Sequence, residues 1–397
     1  MKYSIPTNWQ DELFDALNND YVDELYGKLN CDIVGGGRPS FMLPNVSRLR
    51  FRQHVEEAHR RGIEFNYLLN ATCMSNRELT IWGQRKLRRL LDWIVDNNIE
   101  VVTVSMPYLL QFVKHNYPNL KVYVSTMAGV DSLPRARHWE SLGADRITLS
   151  AVSGLQRNFT LLRKIRECIK CELQLIVNLT CLYECPFWTY HSVTHSHASQ
   201  SHHPSRGFLI DYCFLKCNYM KIKNPVEFIR SGWIRPEDLH YYEDMGFDRI
   251  KFANRNMSTE SIIKLMVSYI ERHYEGNLLD LFSDKSKRCY AKEHSQGLIN
   301  KLKYLCRPFS VNIFKLLELG KLLDDPGIYV DNRALDGFLE HFIQKDCSLT
   351  SCQDCNYCQQ ISDRATKIDR IKQSKLLDSY SVCLDNLTMG SMFTYFS

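Results

Sequence analysis

The sequence predicts an α/β fold: a (β/α)8 TIM-like barrel with a helical, cysteine-rich C-terminal extension. Three observations carry that reading. Short β-rich runs alternate with longer helical patterns through residues 1–275. Most of the runs are apolar without strict alternation, as parallel strands buried on both faces are. Eight such runs with helical returns fit a closed barrel better than an open sheet. The composition suits a large globular domain plus an extension: 397 residues, 44% hydrophobic and 24% charged, with 50 Lys and Arg against 45 Asp and Glu. That apolar fraction excludes a disordered chain. No run approaches 18 uninterrupted apolar residues, so no membrane span is expected. The start, Met1 to Pro6, runs straight into Asp11, Glu12 and Asp15 and leaves no signal-peptide core. The expected compartment is the cytoplasm.

In chain order the strand candidates are Cys31–Val34, Glu64–Leu69, Val101–Ser105, Lys121–Ser125, Arg146–Leu149, Leu173–Val177, Phe228–Ile234 and Arg249–Phe252. Between them, Val46–Arg61 and Arg77–Asn97 are amphipathic. The second sets Leu79, Trp82, Leu87, Leu90, Leu91 and Ile94 at helical spacing, and Ser75 with Glu78 forms a capping box ahead of it. Ser132–Leu142, Leu155–Cys168, Pro236–Met245 and Ser258–His273 continue the alternation. The sixth return breaks it. After Val177 the chain enters an irregular segment, residues 178–221, with four cysteines and five of the thirteen histidines. A loop this long inside a compact domain is usually functional, and it leaves the strand end where barrel enzymes place chemistry. Beyond residue 275 the alternation stops. Leu298–Leu305 and Val311–Leu323 read as helices and Pro326-Gly327 as a turn, so residues 276–397 are expected to be mainly helical.

Fifteen cysteines is an odd number in a long chain without an export signal, which argues against a disulfide framework. Eight of them form two groups: Cys181, Cys185, Cys213 and Cys217, then Cys347, Cys352, Cys355 and Cys358. In a reducing compartment such grouping points to metal or redox chemistry.

Several motifs resemble the collagenase-like peptidase family, unassigned peptidase family 32. They are Val104-Ser105-Met106-Pro107, Tyr117-Pro118-Asn119-Leu120, Val124-Ser125-Thr126, Arg137 to Ala144 (RHWESLGA), Arg146 to Ser150 (RITLS), and Asp248 to Arg255 (DRIKFANR) followed by Ser258 and Glu260. Together they span roughly residues 30–275 in the family's order. The resemblance implies a TIM-like barrel. It also implies, for some relatives, a 4Fe–4S cluster on four cysteines and oxygen-independent hydroxylation of RNA bases or a quinone precursor, in some cases with prephenate as oxygen donor; other relatives are described as proteases. By position, Cys181 matches the family's first cluster cysteine, and Cys213 and Cys217 its Cys-x3-Cys pair. The chain also departs from the pattern. Asn178-Leu179-Thr180 replaces His-Gly, Cys185 follows Cys181 after four residues instead of about seven, and the late Asp-Leu-Cys has no counterpart. Met127 and Ala253 replace a Gln and a Glu, which points to a different substrate.

Each constellation has a functional and a bland reading. Soft, anionic thiolates suit iron, and using both Cys213 and Cys217 would keep four ligands for a 4Fe–4S cluster; a tetrahedral zinc site or buried structural thiols are the alternatives. The Cys-x2-Cys-x2-Cys core of the second group resembles the run in bacterial ferredoxins, with Cys347 or Cys383 as fourth ligand. A structural zinc site is its alternative. Among His191, His195, His197, His202 and His203, the first pair would share a face if Tyr190–Ser196 were helical, making His191 and His195 the candidate acid, base or ligand groups. Arg255 ends the last barrel strand, where a guanidinium grips a carboxylate or phosphate; a structural salt bridge is the alternative. Asn70, Ser125 and Thr126 also lie at strand ends and are candidate substrate contacts. Gly35-Gly36-Gly37 lacks a dinucleotide-binding pattern and reads as a tight turn or a close backbone approach to a ligand. Arg85-Lys86-Leu87-Arg88-Arg89 reads as a solvated helix face.

The leading expectation is an iron–sulfur-dependent oxidoreductase, hydroxylase-like, acting on a peptide, RNA or small metabolite with an anionic co-substrate such as prephenate. A peptidase or other metal-assisted hydrolase is the rival, and a peptide- or RNA-binding module with structural clusters is the third reading. The sequence leaves open whether a partner chain completes the site.

Overall fold

The structure, a computed structural model, describes residues 1–282 and 311–394. Eight parallel strands close into a barrel: β1 (Lys2–Pro6), β2 (Val22–Gly27), β3 (Glu64–Leu69), β4 (Val101–Val104), β5 (Lys121–Val124), β6 (Arg146–Thr148), β7 (Glu172–Ile176) and β8 (Arg249–Lys251). Closure comes from β1 pairing with both β2 and β8. The helical returns are α1 (Glu12–Ala16), α2 (Arg48–Arg60), α3 (Ile81–Asp96), α4 (Pro107–Asn116), α5 (Leu133–Ser141) and α6 (Phe159–Cys168), with α11 (Thr259–Ile270) after the last strand.

The barrel is as expected, but two of its strands are not. Lys2–Pro6 and Val22–Gly27 are the first pair. Cys31–Val34 is loop, with only an isolated bridge from Asp32 to Gln200. The reason lies inside the barrel, which is polar. Glu24 of β2 points inward and pairs with Arg146 of β6, whose Nε reaches Glu172 Oε2 at 2.7 Å and whose guanidinium lies 3.9 Å over the Tyr123 ring. Asn66 Nδ2 donates to Glu24 at 3.2 Å and Thr103 Oγ1 donates to Asn66 at 2.8 Å. Across the barrel, Thr148 donates to Gln174 at 3.0 Å, and Gln174 donates to Ser4 at 2.7 Å. Burial pushes the Glu24 carboxyl up, but Arg146 and Lys251 beside it pull it below its ordinary value. A strand carrying buried charge does not announce itself by hydropathy.

The other correction follows β7. Phe228–Ile234 is not a strand: Val226–Arg230 is a helical turn, and Trp233 and Ile234 are buried in the extended stretch behind it. The cysteine-bearing insert therefore follows the seventh strand, not the sixth. Nor is it irregular, since it holds α7 (Trp188–His197) and most of α8 (Tyr212–Lys223), with α9 (Val226–Arg230) and α10 (Leu239–Glu243) following. The expected capping box at Ser75 also fails. Ser75 and Asn76 both have positive φ, and the cap of α3 is Thr80, whose hydroxyl accepts from Gly83 N at 3.0 Å.

After α11 the described chain is helical apart from a two-stranded antiparallel ribbon, β9 (Ile328–Val330) with β10 (Thr366–Ile368). Leu298–Leu305 lies outside the described residues. Helix Arg370–Thr388 packs along α8, where Gln373 Nε2 donates to Ile222 O at 2.6 Å. Buried Arg235 ties the two regions together through Asp238 (2.8 Å), Asn332 O (2.7 Å) and Asp336 (3.0 Å). No helix among the described residues is long and apolar enough to cross a membrane.

Removing one partner of a buried ion pair leaves an uncompensated charge, at a cost of about 3–5 kcal/mol. Glu24→Leu is therefore expected to lower unfolding free energy by about that amount in urea titration. The double variant Glu24→Leu/Arg146→Met should recover most of it.

Candidate functional site

The site is built from the loop after β2, which turns back across the barrel mouth. Its pivot is the buried carboxylate of Asp32. Oδ1 accepts from Val34 N (3.0 Å) and Gly35 N (2.6 Å), while Oδ2 accepts from the Tyr67 hydroxyl (2.9 Å) and pairs with Lys28 Nζ (2.9 Å). The glycine run then passes very close to its neighbours. A Cβ on Gly35, whose φ is +83°, would sit 2.7 Å from Ser196 O, and one on Gly36 would sit 2.7 Å from Asn70 Oδ1. The close backbone approach of this run is thus to the protein itself and not, as expected, to a ligand.

Asn70, one residue past β3, donates from Nδ2 to Ser125 Oγ at 3.3 Å, and its Oδ1 accepts from Gly37 N at 3.3 Å. Ser125 and Thr126 follow β5, as expected. Ser125 caps a short helical turn through Met127 N (3.2 Å), and Thr126 donates to Leu149 O (3.0 Å). Both are therefore engaged in shaping the mouth. Arg255 lies four residues beyond the end of β8, and the salt bridge that was its bland alternative is not formed. It is buried, has no hydrogen bond or ion pair with a described residue, and its Nη1 is orphaned. Burial and the neighbouring Arg38 bring its pKa down to about 10. A buried guanidinium with an orphaned nitrogen and no direct ion pair, Asp32 acting on it only from farther off, is suited to receive an anion.

The insert lies over this loop. Tyr190–Ser196 is helical, within α7, which meets the condition for His191 and His195 to share a face, and the serines that gave the segment a loop-like composition are its docking face. Ser196 Oγ accepts from Thr72 N at 2.9 Å, and Ser199 Oγ accepts from Gly36 N at 2.7 Å. One turn apart, His191 and His195 both direct Nε2 at Asp211 Oδ2, at 2.9 and 2.5 Å. His195 Nδ1 faces Gly37 O at 3.1 Å. Asp211 also caps α8, its Oδ1 accepting from Phe214 N at 2.9 Å. Burial pushes the Asp211 carboxyl up, yet the two histidines pull it far below the carboxylate range. His197, His202 and His203 stand apart; His197 and His203 stack at 4.6 Å, and Ser75 Oγ is 3.1 Å from His197 Nε2. Asp211 was missed in the sequence, although its place just ahead of the Tyr212–Lys223 pattern is an N-cap signal.

Cys181 and Cys185 lie on the turn after β7, and Cys213 and Cys217 lie one turn apart on α8. Cys181, Cys185 and Cys217 are within electrostatic range of the buried Lys221, whose Nζ donates to Thr180 O at 3.1 Å, and Cys213 is in range of Cys185 and Cys217. Burial pushes the Cys181 and Cys213 thiols up to about 12. In the second group, Cys352 and Cys355 share a helical turn, and the left-handed Asn356 reverses the chain into the helix that carries Cys358. Cys347 and Cys358 feel the charge of Arg157. That side chain is stacked 4.4 Å over Trp233, and its Nε and Nη1 have no partner. Tyr183, between Cys181 and Cys185 in sequence, carries its phenol within range of Cys347 and Cys352. A zinc tetrahedron with Zn–S near 2.3 Å sets its sulfurs ~3.8 Å apart. Among the described residues, the one group of three ligand atoms placed closely enough to share an ion is His191, His195 and Asp211, all within 4.8 Å of one another.

The family model for peptidase family U32 matches residues 39–192. An "uncharacterized protease" of Methanocaldococcus jannaschii is 31% identical over 337 residues, 85% of this chain and 87% of the relative. The chain belongs to peptidase family U32. A weaker match is "tRNA hydroxylation protein P" of Haemophilus influenzae, 23% identical over 139 residues, 34% of this chain and 28% of that protein. A solved U32 peptidase superposes with a TM-score of 0.48 at 24% identity, over 64% of this chain and 93% of its own.

Gly35→Ala places a side chain in a left-handed conformation, about 1–2 kcal/mol, and against a backbone oxygen, about 1–3 kcal/mol. Hydrogen exchange across residues 188–200 should rise in this variant. In Gly62→Ala, where φ is +72° and the space is open, it should stay as in the parent.

Proposed function

We propose that this U32 chain is an iron–sulfur-dependent modifying enzyme of the oxygen-independent hydroxylase kind, acting on an RNA, peptide or small metabolite. One observation carries the reading: thiols from two segments, Cys181 and Cys185 after β7 and Cys217 on α8, gather beside the buried Lys221 at the barrel mouth. Cys181, Cys185, Cys213 and Cys217 are the residues that would hold a 4Fe–4S cluster, and the Lys221 ammonium suits an anionic thiolate centre. When bound, such a cluster supplies electron transfer or, with an iron left open, Lewis-acid chemistry. The protein side of the reaction falls to the mouth. Arg255 binds the carboxylate of an anionic co-substrate such as prephenate, with Arg38 adding to the positive field. Asn70 and Ser125 orient its polar groups, and the loop after β2 with α7 above it keeps water out. His191 and His195 do not serve as free acid–base groups in this account, because both Nε2 atoms are turned onto Asp211.

The C-terminal group would hold a metal of its own. The orphaned nitrogens of Arg157 suit a second anionic thiolate centre, and metal binding would help hold together an extension with a modest core. The hydrolase reading draws on a different contact, Cys355 Sγ 3.6 Å from His341 Nε2.

Purified without oxygen, the chain is expected to carry iron and acid-labile sulfide, and Cys181→Ser and Cys185→Ser should each lose the visible absorption and the activity. A parent chain free of iron and sulfide, with peptide hydrolysis abolished by Cys355→Ala, would overturn the proposal in favour of the hydrolase. Replacing Cys352, Cys355 and Cys358 together by Ser should lower metal content while leaving the barrel absorption in place. Unchanged metal content would remove the second centre.

A further inference from the structure

We infer that His191, His195 and Asp211 form a mononuclear site for a divalent first-row transition ion, separate from both cysteine groups. Three features of the geometry converge on it. The ligand atoms meet at one point: both Nε2 atoms and Asp211 Oδ2 lie within 4.8 Å of one another, with 2.9 and 2.5 Å separating the nitrogens from the oxygen. Two elements present them rigidly. The histidines are successive turns of α7, and Asp211 is locked because its other oxygen caps α8. The third feature is the count of hydrogens.

His195 Nδ1 faces the carbonyl oxygen of Gly37, which only accepts, so Nδ1 carries the ring hydrogen. In a neutral ring Nε2 then presents a lone pair, and it presents it to a carboxylate oxygen 2.5 Å away. Two acceptors cannot face each other at that distance unless a positive charge offsets both lone pairs. A proton fits directly between them; a metal ion does it from beside the pair, seated off the line at about 2.0–2.2 Å from each atom, taking lone pairs from both imidazoles and the carboxylate. The Nδ1 contact to Gly37 O is then the outer hydrogen bond by which metal-bound histidines are oriented. Two imidazoles with one carboxylate is a set that suits iron(II) and zinc(II) while leaving coordination positions open. His195 is buried but His191 is about a quarter exposed, so the open side faces outward past His191. Water or an anionic oxygen donor would occupy it. The competing arrangement is an imidazolium at His195 hydrogen-bonded to Asp211 with no metal, and the experiment separates the two.

The full chain, stripped of loosely held metal and kept under anaerobic conditions, is titrated with cobalt(II). Nitrogen and oxygen ligation gives visible d–d bands, whereas thiolate ligation adds intense charge-transfer bands in the near ultraviolet. The parent is expected to bind one more equivalent of nitrogen- and oxygen-ligated cobalt than His191→Ala or Asp211→Asn. Asn keeps the helix cap, so Asp211→Asn folds even where a harsher change does not, and circular dichroism checks this. Cys181→Ser and Cys185→Ser should retain that equivalent, which keeps the outcome separate from the fate of the iron–sulfur reading. Equal cobalt uptake by the parent, His191→Ala and Asp211→Asn would overturn the inference. So would a parent whose His195 shows both ring protons by nitrogen-15 NMR in the presence of excess cobalt's diamagnetic substitute, zinc(II).

Discussion

The geometry of the barrel mouth depends on a single saturated carboxylate. Asp32 accepts from two backbone amides and a tyrosine hydroxyl and pairs with a buried lysine, so its four contacts use both oxygens fully. A buried charge is tolerable only when it is met in this way. The local effect is to fold the chain after β2 back over the strand ends instead of releasing it to the surface. Everything above the mouth then has a platform. Gly36 and Gly37 touch Asn70 and His195, and the serine face of α7 settles on backbone atoms of the same loop.

On that platform the site is assembled from segments far apart in sequence. The loop after β2 supplies the floor, the turn after β8 supplies Arg255, and the insert after β7 supplies the histidines, Asp211 and the first cysteine group. The C-terminal region joins through α8, where helix Arg370–Thr388 packs, and through Arg157, which is shared between the aromatic stack and the second cysteine group. Tyr183, on the turn that carries Cys181 and Cys185, feels Cys347 and Cys352 of the second group across this junction.

The sequence was most legible where apolar runs were buried on both faces: Glu64–Leu69, Val101–Val104 and Lys121–Val124 stand where hydropathy put them. It was silent on Lys2–Pro6 and Val22–Gly27; in the second, Glu24 is charged and inward, and its compensation comes from Arg146, more than a hundred residues away. Cys31–Val34 misled in the opposite sense, since apolar Ile33 and Val34 are buried by a turn and not by a sheet. At the site, the spacing of His191 and His195 was enough to place them on one helix face. Their common partner was not visible, because the fold of two helices against each other brings Asp211 to them. Arg255 was legible by position, yet its orphaned nitrogen is a property of the packed mouth alone.

The hydrogen-bonded interior of the barrel has an evolutionary consequence. In an aliphatic barrel each inward residue can drift among neighbours of similar volume, one substitution at a time. Here Ser4, Glu24, Asn66, Thr103, Arg146, Thr148 and Gln174 hold one another as donors and acceptors. A single replacement strands a buried partner, so descent through this layer proceeds by paired changes. Relatives should therefore differ at these positions in concert, with the pairs Glu24 and Arg146, and Thr148 and Gln174, inherited or lost together.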